Sequence, residues 1–171
     1  MILCLFGTNP YEFTRLASAI DKVAVDFSEE FFVQSGSTNY KFNNCQSVSF
    51  LSHDELLEKI KNSNLIICQG GYGSIIESIE SNKPTIAIPR YPQLNESADE
   101  QCETVHYFYN ENLIEACFDS LEDLETKITG LLTGLLKLRN YSEFLSTRDE
   151  QIVSDIIADY LQLHEHSNTN L

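Results

Sequence analysis

Ile2 to Phe6, Phe31 to Gln34, Ser47 to Leu51, Leu65 to Cys68 and Thr85 to Ile88 are short, almost wholly apolar runs. Between them apolar residues recur at three- and four-residue steps. Short apolar runs of this kind suit strands covered on both faces. With helical segments in between, the pattern predicts a parallel sheet with helices on both faces.

The helical segments can be placed. Phe13, Leu16, Ala17, Ile20 and Val23 with Ala24 form a buried stripe after the first run. Ser52 reads as an N-cap with Glu55 at the third helical position, ahead of Leu56, Leu57 and Ile60. Ile75, Ile76 and Ile79 predict a helix before the turn Asn82-Lys83-Pro84, and Pro89 stops the following strand. A polar loop from Arg90 to Gln101 leads into a helix carrying Val105, Tyr107, Phe108 and Tyr109. A further helix is expected from near Ser120, with Asp123 completing a Ser-x-x-Asp cap, through Leu124, Ile128, Leu131, Leu132 and Leu135. The last is expected over Asp149 to Leu163. No repeat or long linker interrupts the sequence, so residues 1–163 read as a single domain and 164–171 as a polar tail.

Composition narrows the partners. The chain has 171 residues, 42% hydrophobic and 22% charged, enough apolar matter for a core and too few charges for an acidic disordered segment. Its 26 acidic residues against 11 basic ones give a net charge of -15, which repels phosphate backbones and anionic headgroups. No nucleic acid is therefore expected as a partner. Met1 to Phe6 lacks the basic flank of a secretory signal, and no run approaches the ~20 apolar residues of a membrane span. A soluble, cytoplasmic chain without direct membrane insertion is expected. Cys4, Cys45, Cys68, Cys102 and Cys117 form no CxxC pair and read as reduced core residues.

Gly7, Gly36, Gly70, Gly71 and Gly73 stand where strands should end, and ligands of open α/β sheets bind at the carboxyl ends of strands. The sharpest segment runs from Leu65 to Glu77: a strand, then Gly70-Gly71-Tyr72-Gly73-Ser74 opening a helix. Free amides of a first helical turn, glycines that admit close approach and the Ser74 hydroxyl suit a diphosphate. Glu77, one turn on, suits a ribose diol. A tight Gly-Gly turn with a favourable first-turn acid accounts for the same residues. The segment lacks the Gly-Lys-Ser/Thr of a Walker loop and departs from GxGxxG, so a nicotinamide enzyme is disfavoured. After the next strand, Glu96, Asp99 and Gln101 offer acceptors and an amide to sugar hydroxyls, or else a helix start in which Asn95 or Ser97 is the N-cap and Asp99 and Glu100 face the helix dipole. Gly7-Thr8-Asn9 and Gln34 to Tyr40 are polar loops at the same edge, binding loops or ordinary turns.

The order of these pieces resembles the C-terminal, nucleotide-sugar-binding domain of glycosyltransferase family 28. The resemblance covers about residues 1 to 130: Gly7-Thr8, Phe13-Leu16, Gln34-x-Gly36-x-x-x-Tyr40, Asn64 to Ile67, Gly70-Gly71-x-Gly73-Ser74-Ile75-x-Glu77, Lys83-Pro84, Pro89-Arg90 and Glu96-x-x-Asp99-x-Gln101. It is closest to the stand-alone members, namely the cytosolic UDP-GlcNAc transferase subunit of lipid-linked oligosaccharide synthesis and the small subunits of bacterial exopolysaccharide transferases. The resemblance implies a Rossmann-like sheet, as in the C-terminal half of a GT-B glycosyltransferase. It also implies a UDP-sugar donor, with Gly71, Gly73 and Ser74 at the diphosphate, Glu77 on the ribose, and Asp99 and Gln101 toward the sugar. The chain departs from the family at Asn9, Gln69, Ser97 and Glu100, where histidine is common or other residues are usual.

No two aspartates are separated by one residue, as a metal-held diphosphate would favour, so no metal and no cofactor are expected and helix N-termini should neutralise the charge. His53, His106, His164 and His166 lie at no motif and supply no base, so the catalytic residue is unassigned. Transfer needs an acceptor pocket as well. The family's stand-alone members pair with a membrane-anchored subunit that provides it, and such a partner is expected here, with Asp149 to Leu163 as one candidate docking helix. A non-catalytic enhancer or scaffold subunit of a transferase complex, or a nucleotide-binding module of other purpose, fits the same features.

Overall fold

The computed structural model describes residues 1–148. They fall into two compact units, Met1–Leu138 and a second that starts at Arg139. The last expected helix and the polar tail lie outside the described residues.

The first unit is one six-stranded parallel sheet: β1 Ile2–Leu5, β2 Phe31–Gln34, β3 Gln46–Val48, β4 Leu65–Gln69, β5 Thr85–Ile88 and β6 Glu115–Ala116, in the order β3-β2-β1-β4-β5-β6. All five pairings are parallel, with Cys4 of β1 opposite Val33 on one side and Ile67 on the other. The five helices are α1 Thr14–Val23, α2 His53–Asn62, α3 Tyr72–Glu80, α4 Cys102–Asn110 and α5 Leu124–Leu132.

Parity along the strands sorts the two faces. Ile2, Cys4 and Phe6 share one core with Phe31, Val33, Leu65, Ile67 and Ile86, and Leu16, Ile20, Leu124 and Ile128 of α1 and α5 cover them. The alternate residues Leu3, Phe32, Ile66, Cys68 and Ala87 are equally buried on the opposite face. There the Lys59 ammonium of α2 sits 3.6 Å from the centroid of the Phe32 ring. Right-handed crossovers require this division, because the chain steps one way from β1 to β2 and the other way from β4 to β5 and β6.

Local chemistry sets several boundaries. Ser52 and Glu55 form a reciprocal capping box that starts α2, as its sequence predicts. At the other end of α2, Lys83 Nζ donates to the carbonyls of Lys61 (2.7 Å) and Ser63 (2.8 Å). β3 lies at an exposed edge and begins one residue earlier and ends three earlier than the run Ser47 to Leu51 suggests. The expected start at Ser120 is corrected. Its hydroxyl accepts from the Glu122 amide (3.2 Å) in a local turn, and α5 begins only at Leu124. It ends at Leu132, which leaves Leu135 outside the helix and exposed. β6 is not foreseen by the apolar pattern, because only two residues pair.

In the second unit residues 141–148 are helical, and the Asn140 side-chain oxygen accepts from the Ser142 amide (2.9 Å) at the start.

Candidate functional site

β1 lies inside the sheet, and the connections that leave β1 and β4 run to opposite faces. The loops after these two strands diverge and open a crevice at their carboxyl ends, where doubly wound sheets take their ligands. A cleft of about 380 Å³ occupies this position. Gly7 and Thr8 line it from the β1 end, and Gln69, Gly71, Gly73, Ser74 and Glu77 from β4 and α3. Phe50, Leu51 and Leu56 add an apolar wall, of which Phe50 is 56% exposed.

The β1 end is rigidly held. Gly7 adopts φ +73°, a conformation that disfavours any side chain, and a Cβ there would stand 2.0 Å from Gln69 Nε2. Gln34 at the end of β2 accepts from the Gly7 amide (3.0 Å) through Oε1. Its Nε2 donates to the carbonyls of Gly7 (3.0 Å) and Ser49 (2.9 Å).

α3 begins without a side-chain cap. Gly71 is its N-cap in extended conformation, and the first intrahelical bond runs from the Ile75 amide to the Gly71 carbonyl (3.2 Å). The amides of Tyr72, Gly73 and Ser74 therefore lack intrahelical acceptors, and the positive end of the helix dipole points the same way. Glu77 is half-buried at the cleft, one turn from Gly73 and Ser74. These groups together can hold an anion beside a diol.

Other expected site residues lie elsewhere. Gly70 faces α4: a Cβ on it would come within 2.6 Å of Val105 and 3.0 Å of the Pro89 backbone, so close packing requires the glycine. Glu96 is buried, and its carboxylate is taken by Arg15 and by the Tyr91 amide. Gln101 spends its side-chain oxygen on the Arg90 amide (3.1 Å). Asp99 is exposed and does not line the cleft. The alternative cap is not formed either: α4 starts at Cys102, and the Ser97 hydroxyl donates to the Asp99 carbonyl (2.7 Å).

Behind the cleft sits Arg90, 1% exposed. Its Nε donates to Gln69 Oε1 (2.6 Å), and its terminal nitrogens donate to the carbonyls of Phe6 (2.9 Å), Glu96 (2.8 Å) and Tyr11 (3.0 Å). The guanidinium lies 4.4 Å from the Phe13 ring centroid. Burial pushes its pKa down to about 10, opposed by Glu96, so it stays cationic at neutral pH.

Gln34, Gln69 and Arg90 tie these loops together; the sequence puts Gln34 in a candidate loop at this edge but shows the partners of none of the three. The available signal was a polar amide closing each of two buried apolar runs. His53 is the first residue of α2, and His106 stacks on Phe118 with centroids 4.0 Å apart. His164 and His166 lie outside the described residues. The five cysteines are free, and burial pushes the thiols of Cys68 and Cys117 up to about 12. Among the described residues no helix is long and apolar enough to cross a membrane.

Solved structures with the same fold are glycosyltransferases of the GT-B type. The glycotransferase of kitacinnamycin superposes with a TM-score of 0.58 at 13% identity, over 77% of this chain and 34% of its own. The calicheamicin glycosyltransferase CalG4 gives 0.58 at 11%, over 77% and 33%. MurG of Acinetobacter baumannii gives 0.56 at 15%, over 77% and 40%. This chain thus spans well under half the length of these neighbours. No curated protein sequence matches it. The model of the glycosyltransferase family 28 C-terminal domain matches residues 1–156, nearly the whole sequence, and the chain belongs to that family.

Proposed function

We propose that this chain is the donor-binding subunit of an inverting, metal-independent glycosyltransferase that takes a UDP-sugar, UDP-GlcNAc being the first to test. A membrane-anchored partner supplies the lipid-linked acceptor and the base. One observation carries the reading: Gly7-Thr8, the Gly71 to Ser74 turn and Glu77 line a single cleft at the switch point of the sheet. Family membership points the same way.

In this reading the diphosphate lies against the unpaired amides of Tyr72 to Ser74, and Glu77 accepts from the ribose hydroxyls. Phe50, Leu51 and Leu56 cover the base. As the bond from the anomeric carbon to the leaving oxygen breaks, negative charge grows on the diphosphate. Fixed amides and the α3 dipole stabilise that charge without reorganising. The acceptor hydroxyl attacks the opposite face of the anomeric carbon and loses its proton to the partner's base, which inverts the configuration.

Calorimetry with UDP and UDP-GlcNAc tests the donor half. Binding should persist in excess chelator and weaken about tenfold or more in Glu77→Ala, the loss of hydrogen bonds to a charged group. A chain that takes up neither nucleotide, yet forms a stable complex with a membrane-bound transferase, is a scaffold instead.

A further inference from the structure

The two edges of the sheet differ in how they are guarded. β6 closes one edge and carries Glu115; Lys127 Nζ stands 3.8 Å from that carboxylate and donates to the Ala116 carbonyl. Charges of this kind keep a further strand from pairing with an edge. β3 closes the other edge without them. Residues 42–53 contain no Asp, Glu, Lys, Arg or Pro, in a chain whose net charge is -15. All of β3 is exposed, and only its shortness blunts it. Val48 in it is 36% exposed, and Leu57 of the helix that follows is 43% exposed.

The ladder decides which backbone groups of β3 are left over. Gln46, Ser47 and Val48 stand opposite Phe32, Val33 and Gln34, and the Val48 carbonyl accepts from the Ser35 amide (2.8 Å). Successive residues of a strand direct their backbone groups to opposite sides, so Gln46 and Val48 turn theirs to β2 and Ser47 turns its N–H and C=O outward. Whatever pairs there must also tolerate the charge of the chain. A second copy brings a further -15, so two copies meet closely only where neither surface is charged. A two-fold axis at Ser47 meets that condition. The two β3 strands then run antiparallel: each Ser47 amide donates to the Ser47 carbonyl of the other copy, and Gln46 stands opposite Val48. No like-charged pair arises, and the symmetry closes the assembly at two chains.

We propose that the β3 edge is the contact of a homodimer, in which two copies join antiparallel through Ser47 into one continuous sheet and cover Val48. The inference goes beyond the nucleotide reading and does not depend on it. The carboxyl ends of β1 and β4, where the cleft opens, lie inside the sheet and away from this edge.

The test uses the full chain under reductant. Analytical ultracentrifugation should give twice the mass of one chain. Added salt should tighten the dimer, because it screens the repulsion between two acidic copies. Ser47→Glu sets two carboxylates against each other across the axis and should halve the mass, with the fold retained by circular dichroism. Ser47→Cys gives a second readout. Opposed residues of a hydrogen-bonded antiparallel pair have Cα atoms about 5.5 Å apart, within reach of a disulfide. With oxidised glutathione in place of the reductant this variant should form a covalent dimer, and Ser120→Cys, exposed elsewhere, should not exceed wild type. A wild-type chain that sediments as a monomer overturns the proposal and leaves β3 to a different protein. So does a dimer that salt weakens, or one that Ser47→Glu leaves intact. Ser47→Cys chains that cross-link no more than Ser120→Cys chains overturn it as well.

Discussion

Arg15 on α1 and Glu96 after β5, 81 positions apart, face each other in a two-pronged ion pair: Nε to Oε1 and a terminal nitrogen to Oε2, each at 3.0 Å. The same terminal nitrogen donates to the Pro89 carbonyl (3.0 Å), and Glu96 also accepts from the Tyr91 amide (3.2 Å). This joins the α1 face to the loop that follows β5. The planar fork explains why arginine is used here.

Glu96→Ala should therefore destabilise the fold and leave the cleft intact. It strands a partly buried guanidinium and a buried backbone amide, a loss of roughly 2–3 kcal/mol. Urea unfolding should show the lower midpoint, and UDP affinity of the folded protein should stay within about twofold of wild type. A loss of affinity larger than the loss of stability would return Glu96 to the ligand site.

Two glycines at the cleft should behave in opposite ways. Gly7→Ala meets both the φ of +73° and Gln69 Nε2 and should lower stability by at least about 1–2 kcal/mol. Gly73 lies in α3 with nothing within 4 Å of an added Cβ. Gly73→Ala should gain roughly 0.5–1 kcal/mol from helix propensity alone. If the nucleotide approaches that backbone, the stabilised variant binds UDP more weakly. Melting curves with and without UDP separate the two effects.

The capping box of α2 offers a local check. Ser52 Oγ and the Glu55 amide and carboxylate satisfy one another. Ser52→Ala should cost about 1 kcal/mol, or about 3 °C in Tm for a chain of this size. A neutral result by calorimetry would mean that α2 is held by packing alone.

High pH should unfold the chain early. Burial raises the Cys68 thiol from 9.0 to about 12, and burial together with a neighbouring acid does the same for Cys45 beside Asp21 and Cys117 beside Asp123. The folded state keeps these thiols protonated, whereas the unfolded chain loses their protons near 9. Stability from this source is complete below about pH 9 and is lost as pH climbs toward 12. Lys127, raised through Asp123 against an opposing burial effect, adds loss in the same direction. Under reductant, unfolding midpoints at pH 8 and pH 10 should differ, and Cys68→Ala should narrow the gap. Equal midpoints would contradict the burial of these thiols.

Four of the six strands could be read cleanly from apolar runs, because a strand covered on both faces has few polar positions to blur it, whereas β3 is exposed throughout and was placed only approximately. The place of the glycine turn in the fold was legible for a related reason: a strand, a turn and a helix in that order fix where the turn points. The hydrogen-bond partners of Glu96 and Gln101 were not. Their partners, Arg15 and the Arg90 backbone, are set by tertiary packing, and an acidic loop reads identically whether its carboxylates face a sugar or an arginine. Arg90 illustrates the limit most clearly, since a lone arginine after Ile88-Pro89 gives no sign that five carbonyl or amide oxygens converge on it. β6 escaped because two paired residues are too few to make a pattern.

The entry of the chain into the sheet has a practical side. The Met1 carbonyl accepts from the Asn64 amide (2.9 Å) and the Ile2 amide donates to the Glu30 carbonyl (2.8 Å), so β1 is stitched in from its first residue. The length of a strand, roughly 13 Å at ~3.3 Å per residue, separates this anchored end of β1 from the cleft mouth, so hydrogen exchange at the Ile2 amide reports on the sheet and not on the opening.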